Sequence, residues 1–117
     1  MAQDTTKQTE EVMAHHLQAL IRGQLDEVLS DYTADSILFG GQGPLHGLGE
    51  IRAFFDTQLK NTPPELVAAF KLIRQDVVGE VAYILWKAEP FILFGTDTFV
   101  VHDGKIKVQT FASYSPG

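Results

Sequence analysis

Cysteine is absent from this chain of 117 residues, and basic side chains are few, nine Lys and Arg against fifteen Asp and Glu. Without cysteine there is no disulfide framework, no thiolate nucleophile and no cysteine–metal site, and the composition fits a reducing, cytoplasmic location. The basic residues are scattered, so a nucleic acid backbone or an anionic membrane surface meets no positive cluster. We therefore expect neither as a partner.

Long apolar runs and cofactor motifs are missing as well. The polar start Met1–Lys7 is not followed by a stretch that could serve as a signal peptide or membrane span. The glycines around Gly40 lack the Lys-Ser/Thr of a phosphate-binding loop, and no His-Glu-x-x-His spacing occurs. His15 and His16 are adjacent and diverge on a helix, so they cannot chelate one metal together. No metal and no cofactor are expected.

The first half of the chain carries helical periodicity. A first helix is predicted from about Thr6 to Arg22, capped by Thr5 or Thr6 and ended by Gly23. A second follows at once, and a third runs from near Gly47 to the Pro63-Pro64 pair. The apolar stripe of the second helix is predicted to hold Leu25, Val28, Leu29 and Tyr32.

The second half reads as strands. The predicted strands are Ser36–Phe39, Leu66–Val78, Val81–Glu89, Phe94–His102 and Lys105–Tyr114, with Gly40–Pro44 as a loop. Gly79-Glu80 and Asp103-Gly104 are two-residue hairpin turns. The order predicts one α+β domain over 1–117, in which three N-terminal helices pack on a curved antiparallel sheet and enclose a small pocket.

Asp97 and His16 are the candidate catalytic residues. A two-residue turn at Asp103-Gly104 pairs Asp97 with Thr110 and Phe99 with Val108, which puts the carboxylate on a strand face made of core side chains. One bulge would shift this register. Burial should raise the pKa of Asp97, and His16 points at the same face from the first helix. The alternative is that both are ordinary core residues with satisfied hydrogen bonds.

The expected pocket wall is mostly aromatic, because such side chains offer apolar area with an occasional polar group. Plain core packing is the alternative, above all for Phe55 and Phe99. His15, His46 and His102 are interpreted as solvated. The predicted ligand-binding residues are Tyr32, Phe39, Phe55, Ile84, Trp86, Phe99 and Thr110.

Several segments resemble the nuclear transport factor 2-like superfamily, especially its SnoaL-like and ketosteroid-isomerase-like members. They are Ala19–Asp26, Gly43–Gly47 leading into Ile51–Phe55, Asp97–Phe99 and Asp103–Ile106. The resemblance implies a cone-shaped, cystatin-like fold that dimerises through its sheet. The superfamily holds isomerases, polyketide cyclases, dehydratases, hydrolases and non-catalytic members, so it does not choose a reaction.

The comparison with ketosteroid isomerase can be made at three positions. Asp97 matches the protonated Asp of that enzyme by its Asp-x-Phe context, and His16 takes the place of a Tyr. The position of the general base is Gly40, so the base is missing. Two hypotheses follow. The chain either binds an apolar carbonyl- or hydroxyl-bearing molecule, with cofactor-free proton transfer by Asp97 and His16, or is a non-catalytic binding or dimerisation module.

Overall fold

The computed structural model describes residues 2–116 as four helices packed on one six-stranded sheet. The helices are α1 (Ala2–Arg22), α2 (Leu25–Leu29), α3 (Gly47–Asn61) and α4 (Pro64–Ala69). The strands are β1 (Tyr32–Gly40), β2 (Gly43–His46), β3 (Lys71–Val78), β4 (Val81–Ala88), β5 (Ile92–His102) and β6 (Lys105–Tyr114). The predicted α+β class and helix-covered sheet are confirmed. Among the described residues, no helix is both long and apolar enough to cross a membrane.

The strand order is β2-β1-β6-β5-β4-β3, and every pair is antiparallel except β1 with β6. Helices α1, α3 and α4 pack on one side of the sheet, which we call the inner face. The opposite side is the outer face. The core between helices and inner face contains Met13, Val28, Leu38, Ile51 and Phe99, all at most 1% exposed.

Helix α1 is longer than predicted and has no Thr cap at Thr5 or Thr6. The Thr6 hydroxyl instead accepts from the Gly79 amide at 2.9 Å, and the Thr9 hydroxyl donates to the Gly79 carbonyl at 2.7 Å. These threonines therefore attach the helix to the β3–β4 turn. Gly23, with φ +68°, ends the helix as predicted.

Three boundaries were predicted wrongly. The segment from Leu66 to Ala69 was assigned to a strand but forms α4, because Pro64 suits the first position of a helix. Tyr32 was assigned to the stripe of α2 but begins β1, since α2 ends at Leu29. The chain after Gly40 was assigned to a loop, yet Gly43–His46 pairs with β1.

The β5–β6 hairpin contains a β-bulge that decides which β6 side chains face the pocket. Asp103 (φ 52°) and Gly104 (φ 73°) both adopt left-handed conformations, as a type I′ turn requires. Val101 pairs with Ile106 as expected, but Val100 then pairs with Val108. Residue 107 is a bulge, and from there on β6 is displaced by one residue. The predicted pairs Asp97–Thr110 and Phe99–Val108 are therefore wrong.

The β3–β4 hairpin follows the predicted register near its turn, where Val77 pairs with Ala82 and Gln75 with Ile84. A second shift lies between Leu72 and Arg74. Ile84, a predicted pocket residue, faces inward and is 2% exposed, and Ala82 and Ala88 on the same strand are fully buried.

Candidate functional site

A pocket of about 330 Å³ lies between the inner face and helices α1, α3 and α4. Helix α4 contributes Leu66 and Val67, and Phe70 follows it, so the element missed from sequence forms part of the wall. Of the predicted site residues, those that line the pocket are Asp97, Phe55, Ile84, Trp86 and Phe99.

Both carboxylate oxygens of Asp97 accept a hydrogen bond from the protein. Trp86 Nε1 donates to Oδ1 at 2.9 Å, and Gln109 Nε2 donates to Oδ2 at 3.0 Å. Burial raises the pKa of Asp97, and the two donors oppose part of that rise because they favour the charged form. The site is therefore a desolvated carboxylate with two fixed donors and one side open to the pocket.

Gly95 makes the Trp86–Asp97 bond possible. It lies opposite Trp86 in the β4–β5 ladder, two residues before Asp97 on the same face. A Cβ atom at Gly95 would be 2.3 Å from Cε2 and Cζ2 of the indole, far inside van der Waals contact. Only glycine lets the ring lie over β5 with its N–H directed at the carboxylate.

Gln109 is the site residue that sequence reasoning missed. The predicted pairing of Asp97 with Thr110 puts residue 109 on the opposite face of β6, but the bulge at residue 107 turns Gln109 inward, where it is 4% exposed. The same shift turns Phe111 into the pocket wall, although the predicted pairing of Asp97 with Thr110 puts it on the opposite face as well. Nothing in the amino-acid pattern marks the bulge.

A chain of polar contacts continues from Gln109 into the core. Tyr32 Oη donates to Gln109 Oε1 in a short bond, and lies 3.4 Å from His16 Nε2. His16 Nδ1 lies 3.4 Å from Asp31 Oδ2 without hydrogen-bond geometry and has no hydrogen-bond partner among the described residues. His15 Nδ1 contacts both oxygens of Asp31 at 2.8 and 2.9 Å.

His15 is thus paired rather than freely solvated, although its side chain is 42% exposed. The hydrogen bond that His15 donates to Asp31 is the main cause that raises the pKa of His15, with a further contribution from Glu27.

His16 and Tyr32 lie behind the pocket wall rather than on it. Their rings pack against Phe55 and Phe99, with His16–Phe99 centroids 5.7 Å apart and Tyr32–Phe55 centroids 5.8 Å apart. The predicted inward position of His16 holds, since it is fully buried. It does not contact Asp97, because Tyr32 and Gln109 stand between them in the chain of polar contacts.

Phe39 and Thr110 are two predicted pocket residues that the structure places elsewhere. They are partners in the β1–β6 ladder and lie on the outer face, where Phe39 is 43% exposed. The bulge places Thr110 on the outer face, and Phe39, its partner in the β1–β6 ladder, lies on the same face. Their neighbours Leu38 and Gln109 face inward instead.

Gly40, the position that the resemblance equates with a general base, lies at the end of β1. A Cβ atom there would be 3.1 Å from the Phe111 ring. The aromatic ring therefore occupies the space into which a longer side chain would extend.

The described residues contain no group of three or more His, Asp or Glu side chains placed to hold a metal ion. The two charged residues that line the pocket are Asp97 and Arg22, and Arg22 is not among the groups that shift the pKa of Asp97. The polar groups available to a ligand are Asp97 with its two donors and, elsewhere in a mostly apolar wall, Arg22, Gln58, Thr62 and Ser113.

No family model and no curated protein matches the sequence, whereas many solved structures match the fold. An NTF-2-like protein of unknown function from Burkholderia xenovorans has a TM-score of 0.76 at 17% identity, over 95% of this chain and 86% of that one. A SnoaL-like protein from Burkholderia thailandensis has 0.74 at 13%, over 93% and 96%. A candidate polyketide cyclase from Sinorhizobium meliloti has 0.73 at 14%, over 87% and 94%.

At such identities the likeness concerns the fold and not the reaction. The chain has the nuclear transport factor 2-like fold that its sequence segments resemble.

Proposed function

We propose that the chain binds one small, mostly apolar molecule in its pocket and holds the polar group of that molecule at Asp97. The observation that carries the proposal is that Asp97 is the one carboxylate among the described residues lining the pocket. Its neighbours there include Ile84, Phe99 and Phe111. A desolvated carboxylate with open space beside it is costly for folding alone, which favours a role in binding.

The pocket volume limits the size of the ligand. At about 330 Å³ the pocket lies near the lower end of the range of small-molecule sites, roughly 300–1,000 Å³. We expect a compact molecule of one or two rings with about ten non-hydrogen atoms and a carbonyl or hydroxyl group.

The single tryptophan of the chain makes the test direct. The Trp86 indole N–H resonance is followed by NMR while 1-indanol is added. Wild type and the outer-face variant Thr110→Val should show the same saturable shift, and Val67→Phe, which narrows the pocket from α4, should weaken it. An indole resonance that does not move with 1-indanol, 1-indanone or indane would refute binding in this pocket.

A second candidate function is cofactor-free proton transfer of the isomerase, cyclase or dehydratase kind. It is favoured by the raised pKa of Asp97, which brings the carboxylate closer to the basicity that a general base needs. Asp97 would take a proton from the carbon beside a ligand carbonyl, the electron pair would move to the carbonyl oxygen, and the proton would return in the reverse step. His16, which does not contact Asp97, would act only through Tyr32 and Gln109.

The assay is exchange of the hydrogens at C2 of 1-indanone for deuterium in D₂O, followed by NMR. Wild type should accelerate the exchange and Asp97→Asn should abolish the acceleration. Equal rates for the two proteins, with 1-indanone bound to both, would leave a binding protein without catalysis.

The outer face supports the non-catalytic partner hypothesis, a homodimer through the sheet. Val81, Val100 and Val108 lie side by side across three strands, and Val81 is 46% exposed. An apolar row of this kind is typical of an interaction surface. Sedimentation equilibrium should give a dimer for wild type and a monomer for Val100→Lys. A monomeric wild type would refute the dimer hypothesis and leave the proposal of ligand binding in the pocket unaffected.

A further inference from the structure

The orientation of the Gln109 amide carries an inference about the chemical class of the ligand, which rests on the proposed binding function. Tyr32 has one hydroxyl hydrogen, and it is directed at Gln109 Oε1. The amide oxygen is thereby occupied, so the NH₂ group is the end that meets Asp97 Oδ2 at 3.0 Å.

The Tyr32 oxygen has a second polar neighbour, His16 Nε2, at 3.4 Å. The direction of that contact depends on which His16 nitrogen carries the hydrogen, so the Gln109 orientation rests on the Tyr32 and Asp97 bonds alone. His16 is fully buried, and its other nitrogen lies beside Asp31, which His15 holds in place.

The result at Asp97 is a carboxyl group that meets only donors. Trp86 Nε1 can donate and cannot accept, and the locked Gln109 amide presents its NH₂ group. An ionised carboxylate accepts both bonds and still has lone pairs facing the pocket. A protonated carboxyl would carry its hydrogen on the pocket side, but the bonds donated by Trp86 and Gln109 both favour the ionised form.

We propose that the pocket selects ligands that donate a hydrogen bond to Asp97, such as alcohols, phenols or N–H compounds, over ligands whose polar group is a carbonyl. Gln109 acts as a positioning residue that keeps Asp97 an acceptor, and Tyr32 acts through Gln109. This reverses the role implied by the ketosteroid-isomerase resemblance, in which the matching Asp is protonated and donates.

Three probes of one shape test the selection. 1-Indanol can donate and accept, 1-indanone can only accept, and indane can do neither. Wild type should bind 1-indanol about tenfold more tightly than 1-indanone, the ratio that about 1.4 kcal/mol of hydrogen bonding to a charged group produces. The indole N–H of Trp86, which touches the same carboxylate, reports the binding of each probe.

Two variants assign the selection to its residues. Asp97→Asn brings an amide that can donate to a carbonyl, so the alcohol-to-ketone ratio should fall to about one or below. Tyr32→Phe removes the hydrogen that holds the Gln109 amide, and should reduce the ratio severalfold while indane affinity stays the same. Thr110→Val on the outer face should keep the wild-type ratio.

The outcomes separate this inference from the function on which it rests. Equal or stronger binding of 1-indanone by wild type, with all three probes bound, overturns donor selection and leaves pocket binding intact. A tenfold preference that persists in Asp97→Asn also overturns it. Failure of all three probes to shift the indole resonance overturns both proposals.

Discussion

Replacement of Gly95 by alanine tests whether the packing of Trp86 on β5 holds the site together. The added Cβ would stand 2.3 Å from two ring carbons of Trp86 and 2.9 Å from Nε1. Carbon atoms in contact prefer about 3.5–4.0 Å, so the indole must move by more than about 1 Å. Backbone strain does not enter, since Gly95 is not among the glycines with positive φ.

The expected loss of stability has two parts. Overpacking of a core side chain costs about 1–3 kcal/mol, and loss of the Trp86 hydrogen bond to a charged acceptor costs about 1.5–3 kcal/mol. We expect Gly95→Ala to lower the free energy of unfolding by about 3 kcal/mol or more. For a domain of this size that is a fall in Tm of roughly 12 °C.

Urea denaturation followed by circular dichroism measures the change, and Trp86 fluorescence measures displacement of the ring. Gly49→Ala is the matched control, because Gly49 lies in α3 with no atom within 4 Å of its added Cβ. It should stabilise the protein by up to about 0.5–1 kcal/mol. A Gly95→Ala protein with wild-type stability and unchanged fluorescence would refute the reasoning.

Three further predictions concern charge, polarity and the two faces. The bond to Asp31 raises the pKa of His15 above 6.5, so its stabilisation is complete below pH 6.5 and is lost as pH rises through the folded-state pKa. The difference in urea midpoint between wild type and His15→Gln should therefore be larger at about pH 5.5 than at about pH 8.5. A difference that does not change with pH would contradict this. Gln109→Leu removes a donor from Asp97 and should raise the pKa of that carboxyl further, as measured from its ¹³C resonance. The Tyr32 hydroxyl loses its Gln109 acceptor in this variant, which should cost about 1–3 kcal/mol of stability. An unchanged or lower Asp97 pKa would argue against the contact. Phe39→Ser, on the outer face, should leave 1-indanol affinity within about twofold of wild type by NMR titration, and a larger loss would place Phe39 in the binding site after all.

Local chemistry determined much of the fold. The Asp103-Gly104 dipeptide tolerates two left-handed residues, so it set the β5–β6 turn and directed Asp97 to the inner face. The apolar arc of α1 placed His16 in the core, because helical periodicity needs no knowledge of distant residues. These features depend on neighbours a few positions away and can be read from the chain alone.

The composition of the candidate site was decided by tertiary structure. Side chains along a strand alternate between its two faces. The single extra residue at 107 therefore places Gln109, instead of Thr110, on the inner face beside Asp97. A bulge has no compositional mark, and it arises where twist and packing of the whole sheet favour it. The meeting of Trp86 with Gly95 likewise joins residues on different strands, and it exists only because the ladder brings a large ring opposite a residue that lacks a side chain.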